Sequence, residues 1–214
     1  MTWQMIFDHL FVVLISAIIT IILGVALGII SYRYRRLGKV ILWIVELLQT
    51  IPALALLGLI LLVMGAGKGV TITGLVLYSL LPVVQNTNLG LTEVDEGVKD
   101  AAIGMGMTGT QRLRLIELPL ATPLIFTGIR ISVVNAIGVA VFGAFVGGGG
   151  LGNILYQGIR VQNAKLILQG TLALMAMAVV FDWGLSALQK KLEQSVSPAQ
   201  SDEISDASNG NHKQ

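Results

Sequence analysis

The segment Lys99–Ala121, KDAAIGMGMTGTQRLRLIELPLA, separates two long apolar stretches and decides how the chain is organised. It is charged, and Gly104 and Gly106 interrupt its first half, as glycines commonly do near the C-terminus of a helix. Thr108 or Thr110 then suits the N-cap of a second helix. Pro119 is tolerated at the start of the following helix, where its missing N–H would have no helical partner. The segment therefore predicts a helix, a tight turn, a second helix and an entry into the next apolar stretch.

The composition of the whole chain indicates a membrane protein. Of its 214 residues, 54% are hydrophobic and 12% are charged, and the mean hydropathy is +0.80. Soluble domains carry about 25% charged residues. The absence of cysteine excludes disulfides and thiolate chemistry, and the net charge of +2 gives no indication of nucleic-acid binding. The N-terminal MTWQMIFDHL lacks Lys and Arg, so we expect a retained first span rather than a signal peptide.

Five stretches are long and apolar enough to cross a membrane, which takes about 20 helical residues. They are approximately 10–31, 40–64, 69–89, 118–146 and 166–188, and the fourth is long enough to contain a re-entrant turn. We therefore expect an all-α integral membrane protein of about five transmembrane helices. Residues 1–191 would form the transmembrane domain, and the polar composition of 192–214 predicts a disordered cytoplasmic tail.

The positions of Lys and Arg predict the orientation of these spans, because cytoplasmic loops carry an excess of both. With five spans, three basic clusters fall on one side of the membrane, so the N-terminus is expected outside and the C-terminus in the cytoplasm. An even number of spans would remove this bias. The cytoplasmic set is Arg33, Arg35, Arg36, Lys39, Lys99, Arg112, Arg114, Lys190 and Lys191, and the outer set is Lys68, Arg160 and Lys165.

The central segment resembles the cytoplasmic loop signature of ABC importer permeases of the methionine-permease-like type. That signature is Glu-Ala-Ala, three residues, Gly, nine residues, Ile, one residue and Leu-Pro, and the only departure here is Asp100 for Glu. The resemblance implies a coupling helix between spans three and four that lies in a groove of a separate ATP-binding subunit. The implied ATPase-coupling loop is Asp100, Ala101, Ala102, Gly104, Gly106, Ile116, Leu118 and Pro119.

Four stretches further resemble the osmoprotectant permeases for glycine betaine, carnitine and choline. They are LLQTIPALALLGL (47–59), LYSLLPVVQNT (77–87), GMGMTGTQRLRLIELPLATPLIFTGIRIS (104–132) and GAFVGGGGLGNILYQGI (143–159). The resemblance implies an importer in the bacterial cell membrane, with two identical or sister permease chains, two ATP-binding subunits and a substrate-binding protein or domain. ATP and Mg would be held by the partner subunit, and this chain would carry no cofactor and no enzymatic activity. Another small solute, such as an amino acid, remains an alternative.

Polar, aromatic and proline residues inside the spans indicate a translocation path. A proline frees a helix carbonyl and kinks the axis, for a hinge or for static packing. A charge in a span usually faces protein or water, so Arg130 is expected to line the path or to pair with another helix, with Glu46 as one candidate partner. Aromatic residues, which hold quaternary ammonium groups, make up only 6% of the chain, so substrate recognition is expected mainly in the binding protein. The candidate path residues are Gln49, Thr50, Pro52, Tyr78, Pro82 and Arg130.

The remaining features have a structural and a functional interpretation. Glu46 either reaches the headgroups or serves as the proton site of a small ion-coupled carrier, the main rival function. An intramembrane enzyme is disfavoured because the only histidines, His9 and His212, lie at opposite ends of the chain, and no metal site is expected. The other expectations concern an interfacial Asp182, a close helix contact at Gly24 and Gly28, and an outer turn or binding-protein contact at GGGGLG (147–152).

Overall fold

The structure, a computed structural model, describes residues 2–196, which fold into nine α-helices without a strand. A π-helical turn, Leu113–Glu117, joins α6 to α7, and a 3-10 segment, Ala140–Val146, extends α7. The helices are α1 (Trp3–Arg33), α2 (Arg35–Thr50), α3 (Ala53–Met64), α4 (Lys68–Thr92), α5 (Glu96–Gly104), α6 (Gly109–Arg112), α7 (Leu118–Val139), α8 (Gly152–Arg160) and α9 (Ala164–Val196).

Four helical runs are individually long and apolar enough to cross a membrane, and a fifth span exists if α2 and α3 count as one. This confirms the all-helical membrane fold. The predicted second span, however, is broken, since α2 and α3 meet at an angle of 100°. Pro52 lies at the break as the N-cap of α3, after Ile51 in an extended conformation. A proline favours such a break because it lacks an N–H and pushes the preceding residue out of the helical region.

The last helix is longer than the sequence indicates. α9 continues to Val196, so the helix includes the first residues of the stretch that was expected to be a disordered tail from residue 192. The rest of that prediction, residues 197–214, lies outside the described residues. α9 packs on α7 and α8 at the edge of the bundle, and its outer face is apolar, with Leu172 and Val179 exposed. Such a face suits contact with lipid chains.

α4 forms the centre of the bundle, with α1 on one side and α7 on the other. The contact with α1 is close because Gly24 and Gly28 face Val83 and Thr87. A Cβ atom at Gly28 would lie 2.5 Å from the Cβ of Thr87, well inside van der Waals contact. The expectation of close helix packing at these two glycines is therefore confirmed.

The second proline within a span, Pro82, leaves α4 unbroken. It is buried against α7, where a Cβ at Gly128 would lie 2.5 Å from the Pro82 carbonyl oxygen. One turn earlier, the Ser132 hydroxyl donates a hydrogen bond of 3.0 Å to the Ser79 carbonyl. Neighbouring helices tolerate a proline when their side chains satisfy nearby carbonyls. Pro82 of α4 is thus packed directly against α7.

We call the end of the bundle that carries α5 the α5 end, and the other the far end. At the far end, the Lys68 ammonium lies 2.6 Å from the Asp8 carboxylate and ties the start of α4 to α1. The glycine run folds as a tight turn, with positive φ at Gly147, Gly149 and Gly150, a conformation that only glycine adopts without strain. His9 is buried beside it, with Nε2 3.1 Å from the Ile137 carbonyl, so this histidine has a structural role.

Candidate functional site

The segment between α4 and α7 folds into the predicted helix, turn and second helix. Asp95 caps the start of α5 with its carboxylate. Gly106, with φ +78°, makes the turn after α5 in a conformation that favours glycine. Thr108 caps α6, because its hydroxyl accepts from the Gln111 N–H while the Gln111 side chain accepts from the Thr108 N–H at 2.8 Å. These reciprocal bonds form a capping box that fixes the direction in which the second helix leaves.

The second helix continues into the membrane without a loop. Pro119 is the second residue of α7, as expected, but the π-helical turn immediately before it connects α7 to α6. A proline ring clashes with the carbonyl four residues earlier in a regular α-helix, here that of Leu115. The wider π-turn accommodates this ring. Residues 109–146 therefore form one helical run that extends from the turn at Gly106 through a membrane span.

An exposed apolar surface covers the C-terminal end of α5. Ile103 and Met105 are 53% and 68% exposed. Ala101 is also exposed, and a side chain at Gly104 or Gly106 would meet no atom of this chain within 4 Å. We call Ala101, Ile103, Gly104, Met105 and Gly106 the docking patch. Exposed apolar patches outside the spans mark contact surfaces.

The other residues of the predicted coupling loop divide by burial. Ala102 is buried and holds α5 against the bundle, whereas Ile116 and Leu118 are half-buried on the second helix. Leu118 packs on the cluster that contains Leu91 of α4. Asp100 and Pro119 are exposed. One face of the loop thus holds it in place and another remains open.

Two ion pairs within this segment lie against Tyr32 at the end of α1. The Glu117 carboxylate is almost fully buried and accepts a bond of 2.6 Å from Arg112 Nε. Lys99, also buried, bonds to Glu96 at 3.0 Å and lies 5.8 Å from the centre of the Tyr32 ring at the end of α1. Burial acts to lower the pKa of Lys99, but the Glu96 hydrogen bond and the nearby acidic groups raise it overall, so this lysine stays protonated. We call these residues the clamp.

Sequence reasoning missed the clamp because Glu117 falls at a variable position of the loop signature. The spacing of Glu96 and Lys99 is a detectable signal for one half of it, since residues three apart are neighbours on a helix. The contact of Lys99 with Tyr32 joins residues far apart in the chain and requires the fold.

A cavity of about 340 Å³ opens between α2, α4 and α7. It combines Gln49 and Tyr78, both predicted path residues, with Asn135 and Phe142. We call it the aromatic–amide cavity. Aromatic rings attract quaternary ammonium groups, and amide side chains both donate and accept hydrogen bonds. Asn135 was missed, although a polar residue inside an apolar span is itself a signal.

The remaining path candidates do not line this cavity. The Thr50 hydroxyl bonds back to the Leu47 carbonyl at 2.7 Å, and Pro52 forms the bend between α2 and α3. Pro82 is packed between α4 and α7, and Arg130 makes an ion pair between two spans.

Arg130 pairs with Asp182, joining α7 to α9. Its Nε and a terminal nitrogen donate to the two carboxylate oxygens at 2.7 and 2.9 Å, a bidentate geometry. Glu46 is exposed and makes no ion pair with the described residues, so the alternative of an Arg130–Glu46 pair is wrong. Asp182 is not simply interfacial but holds two helices together. No group of three potential metal-ligating side chains occurs within residues 2–196.

The described residues thus form a helical membrane bundle with a helix–turn–helix at one end and a polar, aromatic cavity between its spans. Residues 19–197 match the family model described as binding-protein-dependent transport system inner membrane component. The chain belongs to this family and is a multi-pass protein of the bacterial cell membrane.

Curated relatives support this assignment over most of the chain. The osmoprotectant import permease protein OsmW of Salmonella typhimurium is 42% identical over 188 residues, covering 86% of this chain and 87% of the relative. The glycine betaine/carnitine/choline transport system permease protein OpuCD of Bacillus subtilis is 40% identical over 190 residues, covering 88% and 83%. A solved inward-facing structure of the MetNI methionine ABC transporter shares the fold, with a TM-score of 0.80 at 21% identity over 90% of this chain and 99% of that one.

Proposed function

We propose that this chain is the permease subunit of an ATP-driven importer for a compatible solute that carries a quaternary ammonium group, such as glycine betaine, carnitine or choline. The strongest support is the identity of 40% or more to permeases named for such solutes over nearly the whole chain. An ATP-binding subunit and a binding protein are the expected partners, as the family description implies.

The ATP-binding subunit docks on the docking patch in this proposal, which puts the α5 end in the cytoplasm. Two such subunits and a second permease chain, identical or sister, complete the importer, and ATP and Mg belong to the ATP-binding subunits. Both ion pairs of the clamp lie against Tyr32 of α1, and the π-turn continues α6 directly into α7. Closure of the ATP-binding subunits would therefore move α7 relative to its neighbours.

The solute crosses through the aromatic–amide cavity. Tyr78 and Phe142 offer ring faces to the trimethylammonium group, and Gln49 and Asn135 offer hydrogen bonds to a hydroxyl or carboxylate. Phe142 is 37% exposed, so this chain provides an open site and the binding protein supplies most of the affinity. Glu46 does not line the cavity, which disfavours the carrier mechanism that would use it as a proton site.

Co-purification followed by uptake tests this function. The tagged chain is purified from its host in mild detergent and bound proteins are identified, alongside Gly104→Ala and Gly104→Glu. Alanine adds one methyl in open space, whereas glutamate adds a charge to an apolar patch. A P-loop ATPase should accompany the wild type and the alanine variant but not the glutamate variant.

Uptake of labelled betaine, carnitine, choline and an amino acid into proteoliposomes, with and without ATP inside and with binding protein outside, identifies the solute class. If a folded wild-type chain binds no ATPase and transports without ATP, the importer function is refuted. Uptake of only the amino acid would retain the importer but reject the osmoprotectant.

A further inference from the structure

A larger cavity, of about 600 Å³, lies at the α5 end between the start of α2 and the segment after α4. Its wall contains more basic than acidic side chains. The basic ones are Arg35, Arg36, Lys39, Lys99 and Arg112, and the acidic ones are Glu96 and Asp100. We call it the basic cavity. The clamp pairs Lys99 with Glu96 and Arg112 with Glu117.

Three basic residues on α2 remain without a counter-charge. Arg35, Arg36 and Lys39 make no ion pair with any residue in the described range 2–196. All three are exposed. The local excess of positive charge at the basic cavity therefore comes from these three side chains.

The start of α2 has the wrong charge for a helix N-terminus. The first turn contains no acidic residue, and Tyr34 at the N-cap offers no side-chain hydrogen bond. The first N–H groups of a helix carry a partial positive charge. Basic side chains beside these N–H groups repel their partial charge and one another. An anion bound among them would attract both the side chains and the N–H groups. A phosphate group fits because its oxygens accept bonds from guanidinium, ammonium and helix N–H groups together.

The basic cavity lies at the depth expected for the membrane surface. Two spans end at its wall, α1 at Arg33 and α4 at Thr92. On α2, Tyr34 and Trp43 are 52% and 61% exposed, and exposed aromatic rings of this kind mark the headgroup layer. Leu42 adds an apolar part to the wall, which suits the stem of a lipid.

We infer that the basic cavity binds a phosphate-bearing anion through Arg35, Arg36 and Lys39, with an anionic phospholipid headgroup as the source favoured by position. The wall also includes Lys99 and Asp100 of α5. A bound headgroup would thus bridge α2 and the segment that carries the docking patch. This inference does not depend on the transported solute.

Native mass spectrometry of the full-length chain in detergent tests the site, with phosphatidylglycerol and phosphatidylcholine offered at equal concentration. The cavity variant is Arg36→Gln with Lys39→Gln. The matched control is Arg33→Gln with Arg114→Gln, which removes the same charge from exposed residues at the same end that do not line the cavity. Loss of charge-assisted bonds should reduce retained phosphatidylglycerol about tenfold in the cavity variant and leave the control near wild type.

Equal losses in both variants would overturn the inference, because general positive charge would then explain lipid binding. No loss in either would overturn it as well. A third variant, Arg36→Lys with Lys39→Arg, keeps both charges and must keep the lipid. If it loses the lipid while its melting temperature is normal, charge does not hold the ligand.

Thermal unfolding distinguishes the two sources of phosphate. Wild-type protein is melted with phosphatidylglycerol or with inorganic phosphate at constant ionic strength. A rise in melting temperature with the lipid alone identifies a headgroup site, and a rise with both identifies a site open to free phosphate. Either rise must vanish in the cavity variant. A wild type that neither ligand stabilises contradicts the inference.

Discussion

Gly128→Ala tests the contact between α4 and α7, on which the proposed movement of α7 depends. A Cβ atom at residue 128 would lie 2.5 Å from the Pro82 carbonyl oxygen and 2.7 Å from the Asn86 Cβ. Unstrained carbon–carbon contacts occur at about 3.5–4.0 Å. The Pro82 oxygen belongs to the backbone of a buried helix and cannot rotate away. The two helices must therefore separate locally, by close to 1 Å on these spacings.

The magnitude follows from two opposing terms. Overpacking costs about 1–3 kcal/mol, and a backbone contact lies at the upper end of that range. Alanine recovers up to about 1 kcal/mol over glycine in a helix interior. The net loss in the free energy of unfolding should be about 2 kcal/mol, which lowers the melting temperature by about 4–8 °C for a chain of this size.

Gly138→Ala is the matched control on the same helix. A Cβ there would meet no atom within 4 Å, so only the gain in helix propensity remains. Its melting temperature should equal or exceed that of the wild type. Unfolding in detergent, followed by tryptophan fluorescence, measures all three proteins. If both variants melt at the wild-type temperature, the close-contact reasoning is refuted. If both melt equally far below it, α7 needs flexible glycines instead.

Four further outcomes are expected. Asp182→Asn should lower the melting temperature, because Arg130 would lose a bidentate partner inside a span. Exchanging the two residues should restore part of the lost melting temperature, and an exchange that restores none argues against a direct pair. Glu117→Gln should cost about 1.5–3 kcal/mol of unfolding free energy through the loss of a buried charge-assisted bond, as measured by thermal unfolding, and an unchanged stability would mean that the clamp contributes nothing. Tyr78→Ala should raise the KM for solute uptake by about 2- to 30-fold, the value of one cation–π contact, while Tyr78→Phe stays near wild type; equal effects of both would point to the hydroxyl. The folded-state pKa of Lys99 is raised, so its contribution to stability should be constant below about pH 10 and be lost above the ordinary lysine pKa. A Lys99→Gln variant should therefore show a smaller fall in melting temperature at high pH than the wild type.

The sequence predicted those parts of the fold that depend on local chemistry. Apolar length located the spans, and the glycine at 106 and the threonine at 108 located the turn and cap of the coupling loop. The 100° break at Pro52 was underestimated, since a proline in an apolar run is equally compatible with a mild kink. α8 was missed because nine residues after a glycine run look like a loop extension.

Interactions between distant residues could not be predicted in the same way. Arg130 and Asp182 are separated by 52 positions, and their pairing depends on the rotation of α9 against α7. The aromatic–amide cavity required the register of three helices, which placed Asn135 beside Gln49 and Tyr78. Residue type alone gave the candidates, and the packing of α4 against its neighbours selected among them.

The unbroken run from Gly109 to Val146 acts mechanically as a lever arm. At about 1.5 Å per residue, roughly 35 Å separate Arg112 from Asn135 along its axis. A tilt of about 10° pivoting near one end would then displace the other by about 6 Å. Because no flexible loop interrupts the run, the whole displacement would pass from one end to the other. A bend between residues 109 and 118 would therefore reduce the displacement that reaches Asn135.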